Sequence, residues 1–167
     1  MAVGLKSRII YREKTKESSA ADYWAGEYKL LIRAKSIPSP FGDRNMVDTS
    51  TLEDLVETQE PGRRSAGSMD VEGAFEKKYK DDLVELEDKK LDICILYGTD
   101  GKGSEGILGF IGSESFIPGE ATGDGHLTGT ATIAVSTVPK WIEDNYTVAV
   151  TEDENGYPTS ITLTKKG

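Results

Sequence analysis

Residues 91–98 read LDICILYG, an almost unbroken apolar run closed by the turn-forming stretch GTDGKGSEG. Its shortness and its bounding glycines point to a strand, and to one without a wet face. A strand buried on both sides needs covering layers on both sides, so it constrains everything around it. The lone cysteine, Cys94, lies inside this run. There it reads as a core thiol and not a reactive one, and a single cysteine leaves no intramolecular disulfide. A cytoplasmic folding environment follows as the simpler expectation.

The remaining sequence is punctuated for β-structure. Its 167 residues fit a single domain, and eighteen glycines with many threonines favour strands and turns. YKLLIRAKSI (28–37) is an aliphatic strand. SMDVEGAFEKK (68–78) sets Met69, Val71, Gly73 and Phe75 against Asp70, Glu72, Ala74 and Glu76, the alternation of a half-buried strand. GILGFIGSESFI (106–117), HLTGTATIAVSTV (126–138) and two strands around the ENGYP turn complete the set. One helix is expected over about residues 78–90, where Tyr79, Leu83 and Leu86 recur at helical spacing. Acids early in it and Lys89 and Lys90 late would complement the dipole. Pro38 and Pro40 end the 28–37 strand, so PSPFGDRNM reads as part of a long loop, 38–48, and RRSAG as a connector. The basic segment 5–16, anchored only by Ile9, Ile10 and Tyr11, falls within an expected flexible N-terminal arm, 1–27.

MVDTSTLEDLVETQEPG (46–62) admits two readings. Ser50 to Glu53 has the form of a capping box, which predicts a helix. The alternation of Leu52, Asp54, Val56 and Thr58 with Glu53, Leu55, Glu57 and Gln59 predicts a strand. Pro61-Gly62 ends either one, and local chemistry leaves both open.

Signals for catalysis are weak. GKGSEG (101–106) matches a dinucleotide fingerprint in letters only, because the following ILGFIGSESF reads as a strand where a helix N-terminus would have to meet the pyrophosphate. The stretch is therefore a hairpin loop, and its spacing is not that of a phosphate-binding loop either. His126 is the single histidine and sits in the polar stretch TGDGHLTG, where it reads as a solvated loop residue. One His and one Cys cannot make a zinc centre, and DENG lacks the ligand spacing of a calcium loop. No cofactor, no metal and no enzymatic activity are expected. The net charge of −9 argues against a protein that grips nucleic acid through phosphates. The first residues lack the apolar stretch of a secretion signal, and no membrane span is expected.

The order of segments across 28–138 resembles the tail tube (major tail) proteins of long-tailed bacteriophages. The likeness rests on the proline-ended strand, the long loop, VDTSTLED…EPG, the acidic alternating strand, the helix, LDICILYGTDGKGSEGILGFIGS and LTGTATIAVST. Residues 1–27 and 139–167 match no motif of that family. The resemblance implies a mainly β fold of two packed antiparallel sheets with one flanking helix, in which 50–59 is a strand. It implies six-membered rings that stack into a virion tube assembled in the host cytoplasm. Its partners would be further copies of itself, tail tip and tail terminator proteins and a tape measure protein, with DNA passing through unbound. The same fold serves tubes of contractile tails and type VI secretion. Within this reading, Phe41, Asp43, Arg44, Asn45 and Met46 would meet the neighbouring ring. With Leu52 and Val56 turned inward, Glu53 and Glu57 would line the lumen, and Asp70, Glu72 and Glu76 form the competing acidic face. Lumenal acids would repel DNA, although acids on a soluble domain are more often plain solvation. A stand-alone β-sandwich binding module is the other reading, but Trp24 and Trp141 sit in separate segments instead of building one aromatic platform.

Overall fold

The computed structural model describes residues 7–14, 23–48, 51, 59–121, 123, 125, 127–137, 139–154 and 157–166, with backbone alone at 42–48 and 59–66. In chain order the elements are β1 (Arg8–Glu13), β2 (Gly26–Leu30), β3 (Phe41–Asp48), β4 (Gln59–Ala66), β5 (Ser68–Ala74), α1 (Lys77–Glu85) and β6 (Leu91–Tyr97). They continue with β7 (Gly106–Pro118), β8 (Thr128–Val135), β9 (Lys140–Trp141), β10 (Tyr146–Glu152) and β11 (Pro158–Lys165). The fold is mainly β with one short helix.

β6 lies at the centre. Six of its residues are buried, and successive side chains go to opposite faces. Leu91, Ile93 and Ile95 enter an inner core with Ile9, Tyr11, Leu31, Val71, Leu108, Phe110 and Ile133. Cys94 and Leu96 enter a second core with Ile10, Tyr28, Leu30, Ile107, Tyr146, Ile161 and Leu163. Hydrogen bonding runs along one antiparallel path, β10-β11-β2-β1-β6-β7-β8-β5, with β9 on the free part of β7. Because β2 pairs with both β1 and β11, the two layers are continuous with one another. α1 contributes Leu83 to the inner core and Tyr79 to the second.

The sheet curls around the inner core without closing by a ladder. The chain beyond β2 crosses to β5, where Ala34 faces Gly73 in an isolated bridge. Lys35 N–H donates to the Glu72 carbonyl at 2.8 Å and Ala74 N–H to the Arg33 carbonyl at 3.2 Å. A side chain at position 73 would put a Cβ 2.6 Å from the Arg33 carbonyl oxygen, so only glycine admits this crossing.

Several expectations need correction. The N-terminal segment is not wholly an arm: β1 pairs along β6 from Arg8 opposite Leu96 to Glu13 opposite Leu91, and Ile9 and Ile10 are fully buried. The strand expected over 28–37 ends at Leu30, because the following residues leave β1 for β5. The expected loop 38–48 holds β3, and RRSAG belongs to β4 up to Ala66. β3 and β4 form a separate two-stranded sheet with Met46 opposite Pro61. Neither strand there needs donors on its outer edge, so proline is tolerated, and register shifts after Phe41 and Arg44 hide the alternation. The helix stops at Glu85, short of 90, because Leu86 caps it and Asp88 takes a left-handed φ of 67°. Its first turn carries no acid, and Lys90 instead donates to Ser136 Oγ at 2.7 Å.

GTDGKGSEG is the hairpin loop joining β6 to β7. Gly101 supplies a positive φ of 73°, and Asp100 accepts the Lys102 N–H at 2.8 Å and the Ser104 N–H at 3.4 Å. Those donors, the Lys102 N–H first, hold the Asp100 carboxyl below its ordinary range.

The apolar centre also buries a charge. Asp92 of β6 is fully buried; it accepts the Tyr23 hydroxyl at 2.5 Å and Arg12 Nε at 3.1 Å. Arg12 further donates to the Ala25 carbonyl at 2.8 Å and to the Tyr23 carbonyl, and stacks over the Tyr28 ring at 4.7 Å. Every polar atom of the carboxylate is thus answered, as burial of a charge demands. Removing one partner leaves the other charge unpaired, so Asp92→Ala is expected to lower the unfolding free energy by about 3–5 kcal/mol. Urea denaturation of the two proteins measures it.

Candidate functional site

The residues expected at a ring contact share one element. Phe41 opens β3, and Asp43, Arg44, Asn45 and Met46 follow along it to Asp48. The root of this hairpin is fixed: Pro40 is buried, Phe41 packs on the inner core, and the Phe41 N–H donates to Ser39 Oγ at 3.2 Å. Glu53 and Glu57, expected at the lumen, lie outside the described residues, as do Leu52, Val56 and His126. The competing acidic face divides. Asp70 and Glu72 point outward from β5 while Met69 and Val71 point in, which is the alternation read from the sequence. Glu72 meets Lys35 at 4.0 Å with both side chains more than half exposed, a pair of little energetic weight. Glu76 does not share that face in the same way: it is the N-cap residue of α1 and is ion-paired with Arg33.

A second candidate surface lies outside the residues singled out from the sequence. Ile117 at the end of β7 and Leu127 just before β8 are each about half exposed, at 54% and 51%. Phe75 and Phe116 meet at 5.7 Å with their rings tilted. Arg33, Lys35, Phe75, Glu76 and Leu127 line a shallow cleft beside them. The sequence signal was available, since Ile117 lies next to Pro118-Gly119 and Leu127 lies in a polar stretch, where apolar residues have little local reason to be buried.

The two tryptophans serve different layers. Trp24 packs against the second core and edge-on to Tyr23 at 5.0 Å. Trp141 is 57% exposed and tilts against Tyr97 at 5.9 Å. Among the described residues there is no group of three His, Cys, Asp or Glu side chains arranged to hold a metal ion, and no helix long and apolar enough to cross a membrane.

No protein-family model matches the sequence, and no curated protein matches it. Solved structures do match the fold. A chain in the cryo-EM structure of the anti-feeding prophage baseplate, 6-fold symmetrised, is similar at a TM-score of 0.57 and 10% identity, over 84% of this chain and 95% of its own. A chain in the tail of an empty GTA particle, refined with C6 symmetry, is similar at a TM-score of 0.53 and 14% identity, over 81% of this chain and 95% of its own. The likeness is one of fold. It takes in nearly the whole of both matched chains.

The cysteine inside this fold is chemically sheltered. Cys94 is fully buried, and burial pushes its thiol well above the ordinary range, with the Asp92 carboxylate acting in the same direction. Native protein is expected to leave Cys94 unmodified by an aromatic disulfide reagent at mildly alkaline pH. One thiol per chain should react after denaturation, read by the released chromophore.

Proposed function

We propose that this chain is a structural subunit of a phage tail or tail-like particle, polymerising as stacked six-membered rings into a tube. The observation that carries the reading is the shared fold with subunits of a baseplate and of a tail, each from a sixfold particle and each covered over 95% of its length. One match to a baseplate and one to a tail support a place in the shaft and a place at its base equally.

The fold lends itself to repetition. Among the described residues β10 ends the sheet on one side with an unpaired edge, and β5 ends it on the other with one isolated bridge. Open edges are liabilities on a monomer and assets in a ring, where each copy covers the next. In this reading the β3–β4 hairpin, with Phe41, Asp43, Arg44, Asn45 and Met46, reaches the adjacent ring. Glu53 and Glu57 line the channel, and their charge, within a net −9, keeps DNA moving by repulsion. Tail tip, terminator and tape measure proteins are the expected heterologous partners, and the particle is assembled before release from the host.

The test is assembly itself. Dilute protein is expected to sediment as a small species and to form rings or tubes on concentration or with a tail-tip initiator, seen by negative-stain microscopy. A strict monomer under all these conditions would reject the reading. Replacing residues 42–65 by a short Gly/Ser linker should leave a folded domain that no longer stacks. Reversing Glu53 and Glu57 to lysine should make tubes retain DNA in a salt-dependent way, while reversal of Asp70 and Glu72 should be much milder. Retention by the second pair alone would assign the lumen to β5 instead.

A further inference from the structure

Among the described residues, one buried acid has no counter-charge. Glu114 of β7 is 2% exposed and sits opposite Ile133 of β8. By strand alternation it shares the face of Leu108 and Phe110, both in the inner core. Among the described residues neither carboxylate oxygen has a hydrogen-bond partner. This contrasts with Asp92, whose two oxygens are both taken.

Among the described residues the charges that reach Glu114 are negative. They come from Glu87 and Asp88, in the turn that follows α1. That turn is held against β7 next to the acid, because Ser115 Oγ donates to Glu87 Oε1 at 2.8 Å. From β1, Tyr11 faces the same region, and its phenol is pushed up chiefly by burial and then by Asp82, Glu114 and Glu85. The carbonyl end of α1 adds the negative pole of a helix to this side. The helix is nine residues long, too short to persist without its packing, which Leu83 and Leu86 supply.

We propose that Glu114 is a proton-operated latch for α1: the neutral acid lets the helix and its following turn seat on the inner core, and the carboxylate drives them off. Ionisation would place an unpaired charge beneath Glu87 and Asp88, and the cheapest relief is outward movement of the turn, which wets the carboxylate. Leu83 and Leu86 are then uncovered. Burial first, and the Glu87 and Asp88 charges second, raise the Glu114 carboxyl from an ordinary 4.5 to about 7. The folded state therefore keeps a proton that the unfolded state releases. Stability is full below pH 4.5, falls as pH rises toward about 7, and stays at the lower level above that.

The experiment pairs a carbon-13 NMR titration of the Glu114 carboxyl with amide hydrogen exchange, corrected for intrinsic rates. Protection of the α1 amides in the natural protein is expected to drop by about tenfold or more between roughly pH 5 and pH 8, with the midpoint of the carboxyl titration. Glu114→Gln should hold protection level over that range. Should that variant not fold, Glu87→Gln with Asp88→Asn changes only exposed side chains and should move the titration midpoint downward. A Glu114 carboxyl that titrates below about pH 5, or helix protection unchanged across the range, overturns the latch.

Discussion

Two-sided burial of β6 is the constraint from which the rest follows. A strand whose alternate side chains enter two different cores cannot be stabilised by one covering layer. Ile93 and Ile95 require the curled strands and α1 on one side; Cys94 and Leu96 require β10 and β11 on the other. β2 makes both possible at once, because its two edges serve the two layers. Asp92, a carboxylate buried within β6 itself, is tolerated there because Arg12 and Tyr23 pair both of its oxygens.

What was legible in the sequence was whatever depended on short-range pattern. The apolar run 91–98, the alternation of 68–74 and the glycine hairpin after Tyr97 all carry their structure locally, and each is present. β1 was misread because its surroundings are basic and its partner lies eighty residues away: Arg12 looks like a solvated arm residue until Asp92 is opposite it. β3 and β4 were hidden for a different reason. Gly42, Pro61 and Gly62 are turn formers by habit, and a bulged two-stranded sheet with free edges is among the few β settings that accept them. The helix was recognised but overextended, since Leu86 keeps the helical period while its backbone has already turned.

The candidate surfaces were less legible than the fold. The proposed contact residues 41–46 lie together on β3 as sequence neighbours, and their strand conformation was not foreseen. The acidic alternation of β5 was read correctly as geometry, yet Glu76 shows how an acid in the same pattern can be diverted to a helix terminus and an arginine. Glu114 was invisible in GILGFIGSESFI, because serine and glutamate near a strand end normally signal exit to solvent. Its burial follows from the continued alternation of β7 opposite Ile133, and the turn after α1, brought to β7 through Ser115 and Glu87, comes from a distant part of the sequence.

The seam between Ala34 and Gly73 has a mechanical meaning. Every other junction around the curled sheet is a ladder, so load shared along it is carried by many bonds in parallel. At the seam the circumference is completed by one bridging pair and its two backbone hydrogen bonds. Hoop stress will concentrate there, and the sheet can widen or tighten its curvature at that place while its ladders stay whole. The molecule is in this sense a split collar: stiff along its strands and compliant in girth.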